Sequence, residues 1–462
     1  MKYLKFYLII SFGVFVLLFS GCKSGTSKTS EKAYQPRDYV EITHPEWTKD
    51  ACIYEVNIRQ YTHEGTFKAF ESHLHRLKDL GVDILWLMPI HPVGEKNRKG
   101  QLGSYYSVRD YLAVNPDFGS LDDFKHLVDT IHSLGMYVIL DWVANHSAWD
   151  CNLVSEHPEW YTRNYEGNFQ PTPWYDWSDV IDFDYNQPGI RQYMTEALKY
   201  WVKETDIDGY RCDVAGFIPT DFWDNVRREL DEIKPVFMLA EWNARDLHKH
   251  AFDMSYNWEM YDAMHELTIE TGKFGRLYEH FAHTVNTFPS NAYWMNFVEN
   301  HDKNSWAGTQ FTQFGEALDA CIVLTVTAPG MPLIYSGQEA GNDRQLLFFE
   351  KDTISWKEHY LFDFYKKLFA FKKANPALWN GNWGGEMIPI GNTAEKVLSF
   401  ARVKEKRKVI VAINFSSSPV SFVMQSKIQE GVFEDFSTGR KMVIEQSANI
   451  DLPAWGFMVL SN

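Results

Sequence analysis

Five cysteines in 462 residues, at no metal-type spacing, rule out a disulfide-framed scaffold and a cysteine-ligated zinc centre. A single disulfide among Cys52, Cys151, Cys212 and Cys321 stays open on sequence alone. Positive charge is short as well. The chain has 45 Lys and Arg against 61 Asp and Glu, a formal charge of −16, and such a surface repels the phosphates of nucleic acid. The apolar run from Phe6 to Phe19 covers 14 residues, too few for an ordinary membrane span, which needs about 20. What the chain has in quantity is aromatic: 17 Trp, 24 Tyr and 32 Phe. Such rings either fill a core or stand as flat platforms for ligands with an apolar face, and composition leaves both open. At 45% hydrophobic and 23% charged residues, the composition is globular, with ample material for a large core.

Lys2 and Lys5 precede the apolar run, which ends in Ser20-Gly21-Cys22 before a polar "KSGTSKTSEK". The pattern resembles a bacterial lipoprotein signal. It implies cleavage after residue 21, a lipid on Cys22, and export to a membrane face on the periplasmic or outer side. An ordinary cleaved secretory signal is the alternative, and either one takes the mature protein out of the cytoplasm. Residues 1–21 then form the signal peptide and 22–50 a tether, with the lipid as the sole membrane contact.

From residue 51 a strand-helix rhythm begins. "IYEVNI", "VDILWLMPI", "MYVILDWV", "DIDGYRCDV", "VFMLAEW", "FDMSY", "YWMNFVEN" and "PLIYSG" are eight strand candidates, alternating with helical patterns. In one of these, Phe67, Phe70, Leu74, Leu77 and Leu80 share a face that Gly81 closes. In another, Ser120 and Asp123 form an N-cap pair ahead of Leu121, Phe124, Leu127, Val128, Ile131 and Leu134. Eight repeats predict an α/β fold, a (β/α)₈ TIM barrel over residues 51–378. Residues 147–187, rich in Trp, Tyr, Asn and Pro, interrupt the rhythm as a loop-rich insertion after the third strand. Residues 379–462 read as a C-terminal antiparallel β-domain, sandwich-like, with strands at "VLSFARV", "KVIVAINF", "VSFVM", "GVFEDF" and "GFMVL".

Four charged interruptions can be placed on this rhythm. Asp141, Asp213, Glu241 and Asp302 all fall at or just beyond C-terminal strand ends, where the active sites of such barrels lie. Arg211 and Asp213, two apart, share a strand face. Two carboxylates on adjacent strands suit retaining glycoside hydrolysis, one attacking the anomeric carbon and the other protonating the leaving oxygen. Arg211 is expected to keep Asp213 ionised. Glu241, between Ala240 and Trp242 with no cation beside it in sequence, is expected to keep its proton. A structural Arg–Asp ion pair is the competing reading of Arg211 and Asp213. Cys212, between them, reads as a small core residue.

"DWVANH", "GYRCDVAG", "MLAEW" and "FVENHD" resemble, in order and in strand position, the four sequence regions of the α-amylase family, glycoside hydrolase family 13. The resemblance covers roughly residues 50 to 462. It implies Asp213 as nucleophile, Glu241 as general acid/base and Asp302 as the carboxylate that binds the distorted sugar. It assigns substrate contacts to Arg211, His146, His301 and Asp141, and a stacking role to Tyr106 in "GSYYSVRDY", with Tyr105 the weaker choice. Many relatives carry a Lys-His pair where this chain has Gly216 and Phe217, which leaves the balance of hydrolysis and transfer open. Asn145 and Asp182 match positions that bind Ca²⁺ in many members, although the same residue types are common turn formers. No organic cofactor is implied.

The function that follows is hydrolysis of α-glucosidic bonds in maltooligosaccharides or a larger α-glucan polysaccharide. A same-family glucanotransferase or isomerase would use the same intermediate. A glucan-binding lipoprotein without activity is the reading from another class; the presence of all three carboxylates argues against it.

Overall fold

The computed structural model describes residues 42–269 and 272–462. The leader and Cys22 lie outside the described residues. Among the described residues, no helix is long and apolar enough to cross a membrane.

Eight parallel strands close into a barrel: β1 (Ile53–Val56), β2 (Ile84–Leu87), β3 (Tyr137–Trp142), β4 (Gly209–Cys212), β5 (Phe237–Ala240), β6 (Met254–Tyr256), β7 (Tyr293–Asn296) and β8 (Met331–Tyr335). Each pairs with its neighbour in sequence, and β1 pairs with β8 to complete the ring. The strands are short and β1, β2, β4, β5 and β8 are buried end to end, as befits a sheet covered by helices outside and filled by side chains inside. Gly209 opens β4 at φ +147°, and a Cβ there would lie 1.9 Å from the Phe237 carbonyl oxygen. Only glycine lets β4 and β5 approach at that point.

The helices follow the predicted faces with one change. The first predicted helix is two, Phe67–Glu71 and Leu74–Leu80, although all five predicted apolar residues are buried as one face. Ser120 and Asp123 form a full capping box on the helix Leu121–Ser133. In the insertion, His146–Ala148 and Val180–Asp182 pair as a small antiparallel ribbon.

The C-terminal region is an antiparallel sheet of six strands with a separate two-stranded ribbon. It holds the five predicted strands and three more, Glu386–Pro389, Lys441–Ile444 and Asn449–Leu452. Arg402, buried in this sheet, donates from Nη1 to Thr327 O at 2.9 Å and so ties it to the barrel. Cys52, Cys151, Cys212 and Cys321 are all buried and free, so the open disulfide does not form.

Candidate active site

Arg211 organises the C-terminal end of the barrel. It sits on β4 directly beside Asp141 of β3, fully buried, with the rings of Trp86, Tyr106 and Tyr256 around its guanidinium at 5.2–5.6 Å. Its Nη1 donates to Asp141 Oδ1 at 2.8 Å and to Asp213 Oδ1 at 3.0 Å, and its Nε donates to Tyr256 Oη at 3.1 Å. Its Nη2 lies 2.9 Å from Glu241 Oε2, an ionic contact in which the N–H bonds are not aimed for a hydrogen bond. One guanidinium therefore touches three carboxylates. This corrects the expectation that Glu241 lacks a cation: the neighbour is distant by one strand in sequence and adjacent in space.

Glu241 nevertheless holds a proton far above the usual carboxylate range. Burial is the main cause; Asp213 and Asp302 push the same way, and Arg211 and the Val214 N–H only partly oppose them, leaving it at about 8. The donors are one-sided. Val214 N–H reaches Glu241 Oε2 at 2.8 Å, and Arg211 Nη2 faces that same oxygen. The proton of the neutral acid therefore belongs on Oε1, away from both. Val214 delivers its N–H from φ +36°, ψ +47°, a left-handed conformation rare for a β-branched residue and worth roughly 1–3 kcal/mol of local strain.

A second chain of contacts enters from β1 and β7. Tyr106 Oη donates to Asp141 Oδ2 at 3.1 Å and meets His301 Nε2 at 2.9 Å. Trp86 Nε1 donates to the same Asp141 oxygen at 3.1 Å. Burial raises Asp141 to about 6 despite Arg211. His301 Nδ1 bonds to Glu55 Oε1, its backbone N–H to Glu55 Oε2, and its Nε2 lies 3.3 Å from Asp302 Oδ1. Burial opposes charge on His301, but Asp302 and Glu55 outweigh it and raise the imidazole to about 9. Both ring nitrogens then donate, one to Glu55 and one to Tyr106. His146 Nε2 completes the site 4.0 Å from Asp213 Oδ2. Asp302 and Glu241 keep 34% and 15% of their side chains exposed, so the pocket opens on their side.

The structure thus gathers Asp213, Glu241, Asp302, Arg211, His146, His301, Tyr106 and Asp141 at one barrel end. Tyr105 points elsewhere: its hydroxyl accepts from Asn57 at 3.1 Å and its ring lies under Arg59. Sequence reasoning missed Glu55, Trp86, Tyr256 and Val214. Glu55 carried a usable signal, a charge within an apolar strand, the same mark that singled out Asp141.

Asn145 and Asp182 also come together, but as partners of each other. Asn145 Nδ2 donates to Asp182 Oδ1 at 3.1 Å, and Thr172 Oγ1 donates to the same oxygen. The pair supplies one carboxylate, where Ca²⁺ takes 6–8 oxygens. Among the described residues no cluster of three or more His, Cys, Asp or Glu could hold a metal ion. In this structure Asn145, Thr172 and Asp182 are hydrogen-bonded to one another as a strut under His146.

Residues 46–362 match the family model of the α-amylase catalytic domain, and residues 386–459 that of the maltogenic amylase C-terminal domain. An α-amylase of Haloarcula japonica is 26% identical over 423 residues, covering 87% of this chain and 60% of that protein. The chain therefore spans somewhat under two thirds of that relative's length. A maltogenic α-amylase of Bacillus acidopullulyticus is 25% identical over 470 residues, covering 90% of this chain and 78% of that protein. Among solved structures, a noncanonic maltogenic α-amylase from Thermotoga neapolitana superposes with a TM-score of 0.82 at 32% identity, over 90% of this chain and 99% of that one. With the catalytic-domain match running through the whole barrel and all its charged strand ends, this chain belongs to the α-amylase family of glycoside hydrolases.

Proposed function

We propose that the protein cleaves α-glucosidic bonds in maltooligosaccharides or a related α-glucan, with retention, through a covalent glycosyl ester on Asp213. In the first step Glu241 Oε1 gives its proton to the leaving oxygen as Asp213 attacks the anomeric carbon. In the second, Glu241, now a carboxylate, takes a proton from water, which attacks the same carbon and expels Asp213. Asp302, the most exposed of the three acids, and charged His301 are placed to hold sugar hydroxyls. Asp141 and Tyr106 hold the frame.

The observation that carries this reading is the arrangement around Arg211, which ion-pairs Asp213 while Glu241 stays a neutral acid near pH 7. One environment provides a nucleophile and an acid at the same pH. A product time course on maltoheptaose, with the anomer of the first product read by NMR, tests it. Initial α-anomers support retention; initial β-anomers, or no shorter chains from any α-glucan, refute it.

Transfer to a sugar acceptor is the second reading, favoured by Phe217, which stands in the place of a polar residue and packs 5.2 Å from Trp242; chains longer than the substrate in the same time course would reveal it. The leader pattern supports export with a lipid on Cys22, and Cys22→Ala should then move the protein out of the membrane fraction.

A further inference from the structure

The six-stranded C-terminal sheet has two edges, and they are finished differently. One is Glu386–Pro389, which ends in a proline with no N–H to offer another strand. The other is Lys441–Ile444, which has no proline and is exposed at three of its four residues. Among the described residues it pairs only with Gly431–Asp435, through Val432↔Val443, Phe433↔Met442 and Glu434↔Lys441. Phe433 and Ile444 are buried on the inner face. Val432 and Val443 stand side by side on the outer face, 58% and 68% exposed, and Met442 is 38% exposed. Single exposed apolar residues are ordinary; three on one hairpin at a sheet edge are not.

The hydrogen bonds of this hairpin fix which backbone groups face outward. Asp435 N–H donates to Arg440 O at 2.9 Å, so Asp435 and Arg440 are a bonded pair. Bonded and non-bonded pairs alternate along an antiparallel ladder. Phe433 with Met442 and Gly431 with Ile444 are therefore bonded pairs, and the N–H and C=O groups of Lys441 and Val443 point away from the sheet. The segment reads Arg440-Lys441-Met442-Val443-Ile444-Glu445-Gln446. Turned antiparallel on itself about Val443, it sets Val443 against Val443, Met442 against Ile444 and Lys441 against Glu445. Turned about Met442 instead, it would set Lys441 against Val443, so charge selects the first register.

We infer that this edge is where two copies of the chain meet, strand to strand, around a twofold axis at Val443. The row Val432–Val443 continues into the same two residues of the second copy, an apolar stripe four valines long. The row Glu434–Lys441 continues into Glu445 of the second copy, which leaves the lysine between two carboxylates. A lysine on an edge strand ordinarily guards against pairing. Here it rejects strands that lack an acid at the matching position and admits this one. Short strands joined at their edges make a small interface, so the two copies exchange rather than lock. None of these residues belongs to the carboxylate site, and the inference stands apart from the glycosidase reading.

Sedimentation velocity on the full chain carrying Cys22→Ala, over about 2 to 200 µM, tests it. Expected is a dimer that grows with concentration. Val443→Lys should weaken it at least tenfold while turnover of maltoheptaose stays unchanged. Lys441→Glu and Glu445→Lys should each weaken it about tenfold, and the two together should recover the dimer to within about fivefold of the unaltered chain. Cross-linking then reads the register, since the cysteines left in the described structure are all buried. On mild oxidation Val443→Cys should join to itself, Lys441→Cys alone should not, and Lys441→Cys combined with Glu445→Cys should. A monomer at every concentration, a dimer that survives Val443→Lys, a double exchange that restores nothing, or equal cross-linking of Val443→Cys and Lys441→Cys would overturn the inference. So would a monomer that sediments with phosphatidylglycerol vesicles, which would assign the patch to a lipid surface.

Discussion

The two ends of the barrel each bury a charged cluster, and the clusters differ in their bookkeeping. At the N-terminal end, Asp253 precedes β6. It accepts from Arg227 Nη1 at 2.8 Å, bonds His44 Nδ1 at 2.6 Å and accepts the Met238 N–H at 2.8 Å. Burial opposes its charge, yet Arg227 and His44 prevail and hold it below the usual carboxylate range. Arg227 also pairs with Asp231 at 2.8 Å, so the bases Arg227 and His44 match the acids in number. At the C-terminal end, Glu55, Asp141, Asp213, Glu241 and Asp302 share Arg211 and His301. Acids exceed cations, so protons must be kept, and Glu241 keeps one to about 8. A cluster that satisfies itself is a strut; a cluster with surplus acid is a store of protons. Burial and ion pairing alone do not tell the two apart, but the ratio of donors to carboxylates does.

This contrast can be broken by substitution. The largest effect is expected from Asp213→Asn, which should lower kcat on maltoheptaose by about 10⁴ while leaving the circular dichroism spectrum in place. Glu241→Gln should cost about 10³ on the same substrate and much less on α-maltosyl fluoride, whose leaving group needs no proton. Equal losses on both substrates would remove Glu241 from the acid role. Asp253→Asn should behave in the opposite sense. It leaves Arg227 partly uncompensated in the interior and should destabilise the fold by about 3 kcal/mol in urea titrations, with turnover kept at low temperature.

Smaller effects follow from protonation. Because the Glu241 pKa is raised and the acid form is the active one, kcat/KM should be sustained below about 8 and fall tenfold per pH unit above it. Glu55→Gln removes a carboxylate that raises His301, so the imidazole should lose its charge at a lower pH and KM should begin to climb below pH 9. The smallest effect concerns Asn145 and Asp182. Their mutual hydrogen bond predicts that a chelator shifts Tm by less than about 1 °C, and a larger drop would mean a cation displaces that bond.

Much of this was legible in the chain because its signals are local. Apolar runs such as Ile84–Leu87 mark strands buried on both faces, and charges at Asp141, Asp213 and Glu241 mark where those faces end. What escaped depends on closure of the ring. Glu55 meets His301 across 246 residues of sequence, which requires β1 to return beside β8 and β7. The reach of Arg211 to Glu241 follows from the length of its side chain across neighbouring strands, which periodicity does not encode. Lys441–Ile444 was missed for a different reason: as an edge strand with three exposed residues, it has no alternating face to read. Val214 gave no sign at all, since a valine after a strand suggests more strand.

The most direct test of the central claim is to trap the sugar on the enzyme. The Glu241→Gln variant, incubated with α-maltosyl fluoride and digested with a protease at low pH, should yield a maltosylated peptide in which mass spectrometry places the ester on Asp213. An adduct on any other residue, or a first product of inverted configuration without any adduct, would contradict it.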